Sequence, residues 1–237
     1  MPDAASHAMP IVLVPGLNCS ARLYAEQIPA LWRFGPVTVA DHTRGDSMPD
    51  ITARILAAAP PRFALAGLSM GGYIAFEIMR QAPQRVAKLA LLDTGARAET
   101  AAQTELRKAP MEMAKSGRFA EVAAAAFEFY VHPGRHGDLA LKTQFMTMAE
   151  ENGAQAYLRQ QRAIMGRRES RPSLSAIACP TLVLVGEQDR GTPVELSQEI
   201  AAAIAGSRLV IIPACGHLST IERPAAVTKA LVEWMLA

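Results

Sequence analysis

Three residues of this 237-residue chain have the types and the order that nucleophilic catalysis needs: Ser69, Asp189 and His217. Ser69 stands at the centre of Gly67–Leu68–Ser69–Met70–Gly71. The apolar run Phe63–Ala66 leads into that motif, and the helical pattern Gly72–Met79 follows it. A strand that turns directly into a helix forces its corner residue into a strained backbone conformation. Glycines two positions either side remove the Cβ atoms that would clash in so sharp a turn. The hydroxyl is then pushed out of the sheet, above a helix N-terminus that favours developing negative charge. Gly-x-Ser-x-Gly by itself is a loose pattern that flexible loops also produce. The strand before it and the helix after it supply the context that gives the motif meaning.

An acid and a base follow downstream. Asp189 lies in Gly186–Glu187–Gln188–Asp189, just beyond the apolar run Thr181–Val185. A loop aspartate commonly caps the next helix, but Thr192–Pro193–Val194–Glu195 reads as a capping box with proline at the first helical position. Thr192 therefore takes that cap, and Asp189 is left for other work. His217, in Cys215–Gly216–His217–Leu218, follows the last apolar run. Asp93 is the rival acid, since it ends the run Leu89–Leu92, and its simplest role is local bonding to the Thr94–Gly95 turn. Asp189 is preferred because that local role accounts for Asp93; Ser69, Asp189 and His217 then fall in chain order, each just after a strand.

These residues need a sheet whose strand ends share one edge. Six short runs provide it: Pro10–Val14, Pro36–Ala40, Phe63–Leu68, Val86–Leu92, Thr181–Val185 and Leu209–Ile212. Apart from Thr38, Lys88 and Thr181 these runs are continuously apolar rather than alternating, as expected for parallel strands covered on both faces. Helical patterns near 21–34, 51–58, 70–81, 193–204 and 223–236 imply right-handed crossovers and a doubly wound parallel sheet of the α/β class. The rhythm breaks over 94–180, where helices near 99–115, 118–130, 138–151 and 153–165 are separated by turn signals such as His132–Pro133–Gly134. The chain thus divides into a core, 1–93 with 181–237, and a helical cap, 94–180, placed over the strand ends where open α/β sheets bind ligands.

Bulk properties exclude several classes of function. Half the residues are hydrophobic, 19% are charged and the net charge is +2, which suits one globular core and gives neither nucleic acid nor an anionic membrane a reason to bind. No apolar run approaches the roughly 20 residues that span a bilayer. Met1–His7 lacks the basic and apolar regions of a secretory leader. The three cysteines, Cys19, Cys179 and Cys215, are too scattered for a disulfide framework or a metal site. A cytoplasmic setting is expected, with a small molecule as the partner.

With these motifs in order, the chain resembles the α/β-hydrolase superfamily over nearly its whole length. The resemblance implies that Ser69 is the nucleophile, His217 the general base and acid, and Asp189 the residue that orients the imidazole. It implies an oxyanion hole from the backbone N–H of Met70 and one from Pro15–Gly16–Leu17–Asn18, assigned to Leu17. Many relatives begin that loop with His-Gly, where this chain has Pro15–Gly16. The usual eight-stranded sheet starts with two further strands, for which the ten or so residues before the loop leave no room. Six parallel strands are expected. The activity implied is hydrolysis of an ester-type bond in a small, largely apolar substrate through an acyl-serine, with no metal or organic cofactor. The same triad also serves enol-lactone, carbon–carbon, thioester and peptide-type hydrolysis and perhydrolysis, and the fold also serves as a non-catalytic ligand receptor. Arg159 or Arg162 is a candidate for a substrate carboxylate, Gly166–Arg171 a solvated face, and Met111, Met113, Met146, Met148 and Met165 are candidates for helix packing and a pliable pocket wall.

Overall fold

The six apolar runs become six parallel strands, seen in a computed structural model that describes residues 8–237. The Met1–His7 stretch, on which the expectation of no secretory leader rests, lies outside the described residues. In chain order the elements are β1 (Ile11–Val14), α1 (Ile28–Leu31), β2 (Val37–Val39), α2 (Met48–Ala58), β3 (Phe63–Leu68), α3 (Met70–Gln81) and β4 (Val86–Leu92). There follow α4 (Ala101–Lys115), α5 (Phe119–Tyr130), α6 (Leu139–Met165), β5 (Thr181–Gly186), α7 (Val194–Ala203), β6 (Arg208–Ile212), α8 (Ser219–Glu222) and α9 (Pro224–Leu236). The strands lie in the order β2-β1-β3-β4-β5-β6, all parallel, so the direction of winding reverses at β1.

Both sheet faces are buried, which explains why the strands read as unbroken apolar runs. Alternate residues go to opposite sides. Leu13, Ala66, Leu92 and Leu184 pack with Leu31 of α1 and Leu231 and Trp234 of α9. Val12, Leu65, Leu91 and Val183 pack with Ile51 and Ile55 of α2, Ile74 and Ile78 of α3, and Ile200 of α7. Between β4 and β5 the helices α4, α5 and α6 enclose a cluster of their own around Met111, Ala114, Val122, Tyr157 and Leu158, with Leu17 packed against it.

Three local expectations are corrected. The stretch 21–34 is not one helix but a 3-10 turn (Ala21–Tyr24), α1 and a second 3-10 turn (Trp32–Phe34). Pro29 has no N–H to continue a helix and its ring would clash with the preceding turn, so the chain must begin a new one there. Helix α2 starts three residues early, because Ser47 accepts the Asp50 N–H as its cap. The capping box at Thr192–Glu195 does not form: Pro193 is the cap residue of α7, and the Thr192 hydroxyl is used elsewhere. Helix α6 runs from 139 to 165 but breaks at Gly153 (φ 74°, ψ 165°), which leaves the two helices that the sequence pattern implies.

The elbow is the tightest point of the fold. Ser69 has φ 55° and ψ −113°, a region that side-chain-bearing residues occupy at a cost of about 1–3 kcal/mol. A Cβ at Gly67 would lie 2.2 Å from the Gly71 carbonyl oxygen, and one at Gly71 would lie 2.0 Å from that of Val14. Both obstacles are backbone and cannot swing aside. Gly71→Ala is therefore expected to lower unfolding stability by about 3 kcal/mol or more, measured by urea denaturation. Gly137→Ala, where an added Cβ meets nothing within 4 Å, should stay within about 0.5 kcal/mol of the parent.

Candidate active site

The C-terminal ends of β1, β3, β4, β5 and β6 deliver, in turn, the Gly16–Asn18 loop, Ser69, Asp93, Asp189 and His217. Parallel strands make this convergence unavoidable, since all of them end on the same edge. Four non-glycine residues have positive φ among those described: Asn18 (61°), Ser69 (55°), Asp93 (45°) and Ala214 (49°). The first three follow the strands of this edge and the fourth precedes His217. Backbone strain is gathered where the chain leaves the sheet.

Ser69, His217 and Asp189 form one continuous hydrogen-bonded chain. His217 Nε2 lies 2.8 Å from Ser69 Oγ. Its Nδ1 lies 2.8 and 2.9 Å from the two Asp189 oxygens. An ionised carboxylate only accepts, so Nδ1 carries the hydrogen and Nε2 is left as an acceptor for the serine hydroxyl. Asp189 is held by the backbone N–H groups of Gly191 (2.7 Å) and Thr192 (2.8 Å) and by the Thr192 hydroxyl (2.8 Å). The loop turn that made Asp189 look like a helix cap is thus the device that aims it.

Asp93 is fully buried and does not hydrogen-bond to His217. It accepts the Gly186 N–H at 2.9 Å and pairs with Ser219 Oγ. Burial, and then the Asp189 charge, raise its carboxyl well above the usual carboxylate range. Burial works against a charge on His217 too, but the Asp189 carboxylate and its hydrogen bond outweigh it and raise the imidazole pKa above its ordinary value.

The Leu17 and Met70 N–H groups donate to no partner among the described residues, and Met70 opens α3, where no intrahelical acceptor exists. The Gly16–Asn18 loop is fixed from both sides. His42 Nε2 hydrogen-bonds to the Gly16 carbonyl at 2.9 Å, and Gln160 of α6 accepts the Asn18 N–H at 3.2 Å. A histidine thus does bind this loop, although it follows β2 instead of preceding Gly16. Burial holds the pKa of His42 below its ordinary value, which favours the neutral ring. No sequence signal marks His42 except its place just past a strand end.

Further groups at the site were not legible in sequence. Tyr130, the last residue of α5, stacks on the His217 ring with centroids 4.7 Å apart, and its carbonyl accepts the His217 N–H at 2.8 Å. Burial pushes its phenol up to about 12. The buried Glu222 carboxylate accepts the N–H groups of His132 (2.8 Å), Gly216 (3.0 Å) and Leu218 (3.0 Å). It ties the histidine loop to the helical insertion. Arg159 and Arg162 point away from the site, to the Thr43 carbonyl and to Asp46. Arg107 reaches the site instead. Gly166–Arg171 is not wholly a solvated face either, because Arg167 is buried over the Tyr73 ring and pairs with Glu99.

Two small cavities meet at Ser69 and His217. One, of about 40 Å³, is bounded by Leu17, Tyr73, Arg107, Ile164 and Thr192. The other is walled by Cys19, Leu68, Phe145 and Leu218. The expected methionine wall is absent from both; Met111 packs with Met113 and Met165 inside the insertion. The pocket is apolar on one side only. Among the described residues no cluster of three metal-ligating side chains occurs, and no helix is long and apolar enough to cross a membrane.

Comparison with known proteins agrees with this fold. A model of the alpha/beta hydrolase family matches residues 11–230. A thermophilic esterase from Thermogutta terrifontis superposes with a TM-score of 0.87 at 27% identity, over 96% of this chain and 89% of that one. The pimeloyl-[acyl-carrier protein] methyl ester esterase of Edwardsiella ictaluri is 26% identical over 94% of this chain and 86% of its own. A candidate non-heme bromoperoxidase of Mycobacterium tuberculosis, BpoC, is 28% identical over 95% and 93%.

The two acids are separable by titrating His217 by NMR. Its pKa should lie above about 6.5 in the parent. In Asp189→Asn the largest opposing charge and its hydrogen bond are lost, so burial weighs more heavily and the value should fall. In Asp93→Asn, which removes a lesser contribution to the same shift, it should fall by less.

Proposed function

The chain belongs to the alpha/beta hydrolase family and is an enzyme of the esterase-type hydrolase class; from that premise we propose that it cleaves an ester-type bond of a small substrate through an acyl-serine on Ser69. The observation that carries this reading is the unbroken hydrogen-bonded chain from Asp189 through His217 to Ser69 Oγ, beside two unused backbone N–H groups.

His217 Nε2 takes the hydroxyl proton as Ser69 Oγ attacks the carbonyl carbon. The Leu17 and Met70 N–H groups receive the oxyanion, each being worth roughly 3 kcal/mol of transition-state stabilisation. Asp189 holds the imidazole in the required tautomer and balances the imidazolium that forms. His217 then gives its proton to the leaving group. In the second half it activates water, which attacks the acyl-serine carbonyl and returns the proton to Ser69. The small cavity against Cys19, Leu68, Phe145 and Leu218 opens beside Ser69 and His217, on the side where the acyl group would lie.

A fluorophosphonate should label the parent at Ser69 and leave Ser69→Ala unlabelled. Turnover of short-chain p-nitrophenyl esters should fall by about 10⁴–10⁶ in that variant. An unlabelled parent without Ser69-dependent turnover would instead fit a ligand receptor. In the parent, kcat/KM should decline as the pH falls through the His217 pKa, because the protonated ring cannot accept the serine proton. With that pKa raised, the midpoint of the acid limb should lie above about pH 6.5.

A further inference from the structure

We propose that the cavity beside Ser69 contains an anion subsite built on Arg107, and that the substrate carries a carboxylate in addition to its scissile ester. This rests on the reading of Ser69 as the nucleophile.

Arg107 of α4 lines the same cavity as Ser69 and His217. Its Nε donates to Glu99 Oε1 at 2.6 Å, its Nη1 to Gln161 Oε1 at 2.8 Å, and its Nη2 reaches Glu99 Oε2 at 3.4 Å. The same Glu99 carboxylate, 1% exposed, also pairs with Arg167. Two guanidiniums thus share one carboxylate, and one positive charge of the cluster has no counter-charge. The nearby acids are engaged elsewhere: Glu199 with Arg97 and Arg171, Glu169 with Arg171. Asp189 is committed to His217, Gly191 and Thr192.

A guanidinium has five N–H donors in a planar fork. The three contacts above leave one on each terminal nitrogen, an arrangement that matches the two oxygens of a carboxylate. Glu99 and Gln161 hold the fork in place, so little ordering entropy is left to lose on binding. The catalytic cavity shares Tyr73, Gly191 and Thr192 with a wider one of about 340 Å³, which brings in Arg97 and Arg167. The carboxylate on that wider cavity, Glu195, is exposed and solvated. An uncompensated charge beside a nucleophile in a cleft of low dielectric favours an anionic over a neutral ligand more strongly than it would in water.

The test compares matched esters. Monomethyl glutarate and monomethyl adipate, each against methyl pentanoate, place the charge on the acyl side; 4-acetoxybenzoate against phenyl acetate places it on the leaving group. In the parent, kcat/KM for the charged ester of at least one set should exceed that of its neutral match by about tenfold to a hundredfold. The difference should fall mainly in KM. In Arg107→Gln the ratio should drop to within about twofold of one, and Arg107→Lys should restore part of it. Glu99 keeps Arg167 as its partner in both variants, which protects the fold. Equal rates for charged and neutral esters in both sets, or a preference that survives in Arg107→Gln, would overturn the proposal. A separate readout avoids turnover: glutarate should raise the Tm of the Ser69→Ala protein and not that of Ser69→Ala with Arg107→Gln. Absence of that shift would count against the subsite even if every ester is hydrolysed, whereas loss of Ser69-dependent hydrolysis with the shift intact would count only against the nucleophile.

Discussion

The contact between the start of α3 and the end of β1 is the constraint from which the site follows. Gly71 lies so close to the Val14 carbonyl that no side chain fits, and Gly67 is pressed in the same way against Gly71. This packing forces Ser69 into its unusual φ and ψ and lifts its hydroxyl clear of the sheet. It also places the first N–H of α3 beside the loop that leaves β1, so nucleophile and proposed oxyanion donors are set by one approach of two backbones. The Ser69 carbonyl is secured by the Thr94 hydroxyl at 2.8 Å and by the N–H groups of Gly72 and Tyr73 at 2.9 and 3.3 Å. The strain is small beside the apolar burial of the four central strands, each covered on both faces.

Electrostatics then distinguishes two aspartates with similar positions in sequence. Both follow a central strand and both are buried. Asp189 is surrounded by donors, two backbone N–H groups, a hydroxyl and the imidazole, and these stabilise a charge. Asp93 has one backbone N–H and a hydroxyl, and faces the Asp189 charge across the same interior. Burial and the neighbouring Asp189 charge both raise the pKa of Asp93, and its two donors only partly offset them. Asp93 serves as a brace between β4, β5 and α8.

The insertion between β4 and β5 contributes to the site on three sides. Tyr130 covers the imidazole, Gln160 holds the Asn18 N–H, and Arg107 brings charge into the cavity. Glu222 links this insertion to the loop that carries His217. A shift of the insertion would therefore be felt by His217 and by the Gly16–Asn18 loop together. The core supplies the shared chemistry of the family, and the insertion shapes the space in which a substrate must fit.

The sequence by itself determined the sheet and the elbow, and it singled out the serine, aspartate and histidine that the fold brings together. Strand runs covered on both faces are apolar throughout, Gly-x-Ser-x-Gly is a local backbone requirement, and residues that follow parallel strands must share an edge. Each of these signals lies within a few neighbouring residues. Helix boundaries near Pro29 and Ser47 were less legible, because caps and breaks depend on single side-chain bonds. Only the tertiary structure decided that Thr192 serves Asp189 instead of capping α7, that His42 holds the Gly16–Asn18 loop, and that Arg107, not Arg159 or Arg162, lines the cavity at Ser69. The first follows from the pairing of Asp189 with His217, 28 positions away, and the others from which helix face turns inward and from contacts such as His42 to Gly16, 26 positions apart. Such contacts are set by packing of the whole chain, and no local pattern encodes them.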